Sequence, residues 1–430
     1  MAYFLYNLIL ILLYLPFLIV VFLFPKGRML LAKRKKSLTE LLNSDKDPQR
    51  KTVWLHAASV GELDQARALA GEIKRQNPSL FIIQSVYSDS VTDKQTIDPN
   101  FDRSFILPLD FPFAYDSLFK KFRPEKLIIL AWDTWPNLLK TANKYNCKSY
   151  LACASLSSGS GRKKGFVHSL TKASFQYLEG IYPSHPIIAE EFKTLAPDHK
   201  IETLGDTRFE SVLHRIESGT PPERFQTFLK KYKTEIADQK PILLGSTYPV
   251  CESYFSDFLF HWSEQNHPLP TFWIFPHKWE ENRMQSFRSK LESITTVKTF
   301  SELMDRSSEY PKIVLVDELG ILAFAYQFAK FAYVGGAFHH RVHNTIEPAA
   351  FALSLVTGLK ISNAPEAIVM QKLGGLIACN HKEEYISAFK KLILNPNLAE
   401  ELGAKNRNFV LENKGASGKI YSRVFSNDPN

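Results

Sequence analysis

Val53-Trp54-Leu55-His56-Ala57-Ala58-Ser59-Val60-Gly61-Glu62 closes an apolar run with small residues, a glycine and a carboxylate, and an amphipathic pattern begins directly after it. The alternation of Val53 and Leu55 predicts a strand, and Leu63, Ala66, Ala70 and Ile73 recur at helical spacing. Glu62 therefore falls on a strand-to-helix turn. Ligands of open parallel sheets collect at the carboxyl ends of strands, which makes Glu62 a candidate catalytic base. Ala57, Ala58 and Ser59 are small enough to let a ligand approach the backbone. The plainer explanation is a helix dipole that favours an acidic residue in any first turn, and the pattern alone leaves both open.

Outward from that turn, strand-like runs alternate with helical patterns at residues 53–57, 80–86, 105–107, 126–131, 149–152 and 180–183. A second series follows at 242–244, 271–275, 313–316, 331–334, 355–358 and 376–378. Alternation of this kind predicts parallel sheets covered by helices on both faces. A chain of 430 residues with 45% hydrophobic content is long enough for two such domains. The polar stretch 216–239, with Pro221-Pro222 inside it, is expected to connect them. Cys147, Cys153, Cys251 and Cys379 are scattered without zinc-ligand or disulfide spacing, which fits a reducing compartment. Asp45-Lys46-Asp47 has a spacing that can hold a divalent ion, but no strand precedes it and the stretch reads as linker.

Residues 3–24 form an apolar run without charge, about 33 Å long as a helix, which is enough to cross a bilayer core. Lys26, Arg28, Lys33, Arg34, Lys35 and Lys36 all follow the run, the reverse of a cleaved signal peptide. The segment is expected to be a retained anchor, with the bulk of the chain on the cytoplasmic side against anionic lipid. Pro16 leaves room for a kinked or partly inserted helix. Much of the net charge of +9 comes from this cluster, and no nucleic-acid-binding signature accompanies it.

A second candidate site lies in Tyr333-Val334-Gly335-Gly336-Ala337-Phe338 and in His343-Asn344-Thr345-Ile346-Glu347-Pro348-Ala349-Ala350. The sequence predicts a strand, a glycine turn and a helix start, an arrangement that receives phosphate through exposed amides. Asn344 is the expected N-cap. Glu347 is a candidate acceptor of ribose hydroxyls or a plain dipole partner. Gly245-Ser246-Thr247 after another strand and Phe275-Pro276-His277-Lys278 after the next add small hydroxyls and a basic group to the same edge.

Together these residues resemble the 3-deoxy-D-manno-octulosonic acid (Kdo) transferases of Gram-negative bacteria. The match includes the N-terminal anchor, the block ending at Glu62, and Leu107-Pro108-Leu109-Asp110 with Phe111-Pro112. It continues through Trp135-Pro136-Asn137, Leu204-Gly205-Asp206-Thr207-Arg208-Phe209, Gly245-Ser246-Thr247, Gly335-Gly336, the block 343–350 and Gly415-Ala416. The resemblance implies an α/β chain of GT-B type, with two doubly wound Rossmann-like domains facing an interdomain cleft. The expected divisions are an anchor at 1–25, an acceptor-binding domain at 37–215, a linker at 216–239, a nucleotide-sugar-binding domain at 240–410 and a tail at 411–430. It further implies inverting transfer of Kdo from CMP-Kdo to the lipid A precursor, lipid IV-A, at the cytoplasmic face of the bacterial inner membrane. Glu62 is then the general base. Ser246, Thr247, His277, Lys278, Gly335, Gly336, His343, Asn344 and Glu347 bind the nucleotide sugar. Ser59, Gly61, Asp133 and Arg162 contact the acceptor. No metal or cofactor takes part, and the partners are the donor, the acceptor and anionic lipid.

Departures from the family pattern cluster on the acceptor side. Glu-Thr-Glu before Leu-Trp-Pro-Asn is replaced by Ala131-Trp132-Asp133 and Thr134, and Asn-Ala-Arg-Leu-Ser by Cys153-Ala154-Ser155-Leu156-Ser157. Pro-Arg-His becomes Pro276-His277-Lys278. Two other functions stay open, a GT-B enzyme with a different acceptor or donor and a non-catalytic membrane-tethered descendant, although retention of Glu62 and Glu347 argues against the second. A dinucleotide-binding reductase lacks its Gly-x-Gly-x-x-Gly after the first strand.

Overall fold

The computed structural model describes residues 1–88, 96–157, 159–265, 267–305 and 309–426. It divides into two compact units, Met1–Ser211 with Asn413–Asn430, and Val212–Glu412.

The first unit holds β1 (Thr52–Ala57), β2 (Phe81–Val86), β3 (Arg103–Ile106), β4 (Pro124–Leu130), β5 (Lys148–Ala154) and β6 (Leu178–Pro183). They form one parallel sheet in the order β3-β2-β1-β4-β5-β6, a doubly wound arrangement that reverses between β1 and β4. Every residue of β1 is buried because both faces are covered. Trp54 packs with Ile83, Phe105 and Leu127 on one face, and Val53 and Leu55 pack with Ile82 and Ile128 on the other. The helix Val60–Gln76 covers that second face through Leu63, Ala66, Leu69, Ala70 and Ile73.

Two expected boundaries shift. The predicted tail, 411–430, is largely the helix Ala416–Phe425, which returns to the first unit; residues 427–430 lie outside the described residues. It buries Ile420 and Val424 beside the helix Val60–Gln76, each contributing about 1.5–3 kcal/mol. Its start is held by Glu210 Oε1, which accepts from the backbone N–H groups of Gly415 and Ser417. The predicted linker, 216–239, instead lies within the second unit. Phe225, Phe228, Tyr232 and Ile236 form one apolar stripe through the helices Glu223–Lys231 and Lys233–Asp238, and its rings pack on Trp273, Phe300 and Tyr310. Polar residues between those four positions hide the stripe in sequence.

The second unit is a seven-stranded parallel sheet of β7 (Ile242–Thr247), β8 (Phe272–Pro276), β9 (Val297–Thr299), β10 (Ile313–Leu315), β11 (Ala332–Val334), β12 (Leu355–Gly358) and β13 (Leu376–Cys379). Its order, β13-β12-β11-β7-β8-β10-β9, reverses between β7 and β11. The edge strand β9 has no counterpart among the expected strands, because Val-Lys-Thr offers one apolar residue and no alternation. The four cysteines are buried and unpaired.

Two helices precede the first sheet, α1 (Ala2–Leu23) and α2 (Pro25–Asn43). α1 is long and apolar enough to cross a membrane, buries none of its residues and continues through Pro16. Its first two turns are nevertheless tied to the domain. Tyr3 Oη donates to Pro136 O at 2.9 Å, Tyr6 Oη donates to Asp110 Oδ2 at 2.9 Å, and Asn137 Nδ2 donates to Asn7 Oδ1 at 2.8 Å. On α2, Ser37 Oγ accepts from Ile106 N–H, and Arg34 donates to the carbonyls of Leu107 and Tyr87. Arg34 therefore turns into the domain, unlike the lipid-facing role expected of the basic cluster. The start of α1 and the middle of α2 are thus both bonded to loops at the carboxyl-end edge of the first sheet.

Candidate active site

In the first unit, the reversal between β1 and β4 brings together residues from the ends of both strands. Glu62 stands in the first turn of the helix Val60–Gln76, half-buried, and its Oε2 accepts Ala58 N–H at 2.6 Å. Burial pushes its carboxyl above the ordinary glutamate range, opposed by the Ala58 N–H, His56 and the Ser59 hydroxyl and assisted by the negative charge of Asp133. A carboxylate so placed is a stronger base than a free glutamate. Ser59 occupies the N-cap position, but its side chain makes no capping bond. A Cβ on Gly61 would meet nothing within 4 Å, so that glycine leaves exposed backbone that packing does not require.

Asp133, just after β4, accepts from Trp135 Nε1 at 2.8 Å and lies 3.4 Å from His56 Nε2. His56 is fully buried, with Nδ1 2.8 Å from Ser85 Oγ, which also accepts from Trp54 Nε1 at 2.8 Å. A carboxylate only accepts, so the His56 nitrogen that faces Asp133 is the one that carries a proton. Arg162 donates to Trp132 O at 2.7 Å and stacks 3.4 Å from the Trp132 ring centre. Burial lowers the Arg162 pKa to about 10 against the pull of Asp133 and Glu62, which leaves it a cation at neutral pH. Glu62, Asp133 and Arg162 thus act on one another electrostatically. His56, Ser85, Trp132 and Trp135 belong to the same network without having been assigned roles from sequence. The available signal was a polar His56 inside an otherwise apolar strand.

In the second unit, the reversal between β7 and β11 gathers Ser246, His277, Lys278 and His343. A cavity of about 620 Å³ is lined by Ser246, Phe275, His277, Lys278, Asp317 and Leu322 among others. Tyr248 stacks on His277 at 4.8 Å, His277 lies 4.6 Å from His343, and Tyr248 Oη lies 3.0 Å from His343 Nε2. Burial holds the His343 pKa down to about 4 and also lowers that of His277, so neither ring is cationic at neutral pH. Of His277 and Lys278, the two candidates for the basic group on this edge, burial disfavours the charged form of His277.

Several other assignments find their groups engaged within the chain. Thr247 Oγ1 donates to buried Glu252 at 2.9 Å, and Glu252 in turn pairs with Arg283. Glu347 pairs with Arg215 at 2.6 Å. The N-cap position of Ile346–Ala350 is Thr345 rather than the expected Asn344, which lies one residue earlier and accepts Ile346 N–H at 3.0 Å, and a helix of only five residues has a correspondingly small dipole. A Cβ on Gly335 would stand 1.9 Å from Ser246 O, and one on Gly336, at φ +96°, 2.2 Å from Arg341 O. These glycines satisfy the chain's own close packing, and Gly335 N–H is already given to Gly245 O.

Three non-glycine residues at strand ends have left-handed backbone, Ala131 (φ +59°), Cys153 (φ +49°) and Ser246 (φ +55°). Each costs about 1–2 kcal/mol, and such strain gathers at functional sites.

A family model for 3-deoxy-D-manno-octulosonic-acid transferase (kdotransferase) matches residues 31–211. The 3-deoxy-D-manno-octulosonic acid transferase of Haemophilus influenzae is 23% identical, covering 87% of this chain and 86% of its own length. That of Chlamydia muridarum is 24% identical, covering 85% and 83%. Among solved structures, the UDP-GlcNAc 2-epimerase from Neisseria meningitidis bound to UDP-GlcNAc is similar in fold, with a TM-score of 0.63 at 12% identity over 87% of this chain and 100% of that one.

Proposed function

We propose that this chain, similar to the Kdo transferases over most of its length and matching their family model over residues 31–211, is a glycosyltransferase that moves Kdo from CMP-Kdo to a lipid A precursor, lipid IV-A, at the cytoplasmic face of the inner membrane. The observation that carries this reading is Glu62, a carboxylate of raised pKa at the sheet reversal with Arg162 and Asp133 around it. The acceptor hydroxyl gives its proton to Glu62 as its oxygen attacks the anomeric carbon. The bond from that carbon to the phosphate oxygen breaks, CMP leaves with the electron pair, and the centre inverts. Phosphate leaves without a general acid. The charge that grows on it is met by Lys278 and by hydrogen bonds from Ser246. Arg162, half-buried and cationic, suits an anionic group on the acceptor, whereas neutral His277 and His343 offer the donor hydrogen bonds and flat surface.

The test is a mass spectrum of tetra-acylated lipid A precursor after incubation with the protein in detergent and CMP-Kdo generated in situ. A product heavier by whole Kdo units is expected, with none from Glu62→Gln. Preference for a uridine sugar would sink the donor assignment. The changed segments at Ala131–Asp133 and Cys153–Ser157 favour one second reading, the same chemistry on a different lipid acceptor. It predicts CMP-Kdo binding beside an unchanged lipid IV-A.

A further inference from the structure

α1 presents Tyr6, Leu10, Leu13, Phe17 and Val20 along one stripe, and that stripe forms one wall of a cavity of about 480 Å³. The opposite wall is Tyr87, Leu109, Phe111 and Trp135. Five positions spaced four, three, four and three residues apart make a single helix face about 21 Å long. The walls are held together by the bonds of Tyr3, Tyr6 and Asn7 to the domain and by an edge contact of Tyr14 on Phe111 at 5.0 Å. Of the polar groups on the lining residues, Tyr6 Oη and Asp110 are bonded to each other and Trp135 Nε1 is given to Asp133, so the interior offers mainly hydrocarbon and aromatic surface. Leu107 to Pro112 and Trp135 to Asn137, motifs to which the proposed chemistry gives no role, build this structure.

Trp135 belongs to two sites at once. Its ring lines the groove, tilted against Tyr87 with the centroids 4.6 Å apart, while its Nε1 donates to Asp133, which interacts with His56 and Glu62. The groove is therefore linked to the candidate base through two side chains, Trp135 and Asp133. It also opens beside a helix that is apolar around its circumference and buries nothing, the surface expected in contact with lipid hydrocarbon.

We propose that this groove holds one acyl chain of the lipid acceptor and so presents the acceptor's sugar hydroxyl to Glu62. The proposal rests on the transferase reading above. Leu13→Trp, which fills the groove, is expected to raise KM for an acylated acceptor at least tenfold and to leave turnover of a fully deacylated acceptor unchanged. Leu12→Trp, on the other side of α1, should change neither. Equal effects of the two substitutions, or equal KM of the wild type for acylated and deacylated acceptors, would overturn it. A second readout needs no turnover. Acceptor brominated on its acyl chains should quench tryptophan fluorescence in the wild type, and most of that quenching should vanish in Trp135→Phe. Quenching without transfer would keep the groove and remove the transferase reading, whereas transfer without quenching would do the reverse. Equal quenching by a brominated phosphatidylethanolamine would make the occupant bulk lipid and overturn the assignment to the acceptor.

Discussion

The two sheet reversals are topologically alike and chemically unlike. Around β1 and β4 the first unit gathers opposite charges, half-buried Glu62 and Asp133 against Arg162, with Glu62 and Arg162 shifted by burial and by their charged neighbours. Around β7 and β11 the second unit gathers flat rings, two of them histidines held neutral, with Lys278 at the rim. The first arrangement can move a proton, whereas the second can hold and orient. In the first the side chains carry the function, and in the second much of the glycine and carboxylate pattern serves the chain's own packing.

The sharpest test of that contrast is Glu62→Gln. Loss of the base should lower kcat by about 10²–10⁴-fold while CMP affinity stays within twofold. The folded pKa of Glu62 is raised, so its contribution to stability is present below the unfolded pKa and lost as pH rises through the folded one. Gln can still accept Ala58 N–H without the charge. The variant should therefore be more stable than the wild type at about pH 8, with the difference vanishing below about pH 4. Denaturant melts at the two pH values check this, and the acid limb of wild-type kcat should lie above the ordinary glutamate range. A variant less stable at pH 8 would mean that Glu62 is a structural cap.

Gly335→Ala against Gly61→Ala probes the same contrast through the backbone. An added Cβ meets Ser246 O at 1.9 Å in the first case and nothing within 4 Å in the second. Gly335→Ala should cost about 3 kcal/mol, whereas Gly61→Ala, in an exposed helical position, should gain up to about 1 kcal/mol. Any effect of Gly61→Ala should appear as a raised KM for acceptor. Comparable destabilisation by both would erase the distinction between packing glycine and site glycine.

Strand ends were legible in sequence because parallel strands covered on both faces are continuous apolar runs, and Glu62 was legible because it ends one. The reversal that makes the strand ends into sites was not, since strand order is a property of pairing rather than of any run. His56 and Trp135 were missed for a related reason. Their partners, Ser85 and Asp133, come from neighbouring strands and become neighbours only once β2, β1 and β4 lie side by side. Gly335 and Gly336 point to a ligand in sequence because a glycine reports only that something is close, and in the fold the Ser246 carbonyl and the loop 341–343 are close. The return of the helix Ala416–Phe425 and the docking of α1 depend on contacts across most of the chain, which local patterning does not encode.

Among the rings, charge decides the next effect. Lys278→Met should weaken CMP binding about tenfold, the scale of one charge-assisted hydrogen bond to phosphate. With His343 held down to about 4 and His277 also lowered, CMP affinity should change less than twofold between about pH 6 and 8. Titration calorimetry across that range decides it. An affinity that rises steeply below pH 7 would make a histidine the phosphate's cation and bring the two regions closer in character.

The smallest effects come from the left-handed residues Cys153 and Ser246, one in each unit. Cys153 is fully buried, with Sγ 3.5 Å from both Thr207 N and Thr207 Oγ1, and asparagine is the residue that the resemblance expects there. Asparagine tolerates this backbone better and its Oδ1 can accept Thr207 N–H, a gain of up to about 1 kcal/mol. Its buried amide NH₂ also needs an acceptor, and Gln65 Oε1, buried without a partner on a residue whose carbonyl already accepts from Thr207, is a ready candidate. Cys153→Asn should therefore be neutral to mildly stabilising and leave KM for both substrates unchanged. Ser246→Gly relieves the same backbone in the second unit but removes a hydroxyl from the cavity, so it should raise stability slightly while weakening CMP binding by a few fold. If both substitutions change stability alone, the strain in the second unit is packing and the hydroxyl of Ser246 is idle. If only Ser246→Gly costs affinity, the strained backbone at that strand end is the means by which a side-chain donor is aimed at the ligand.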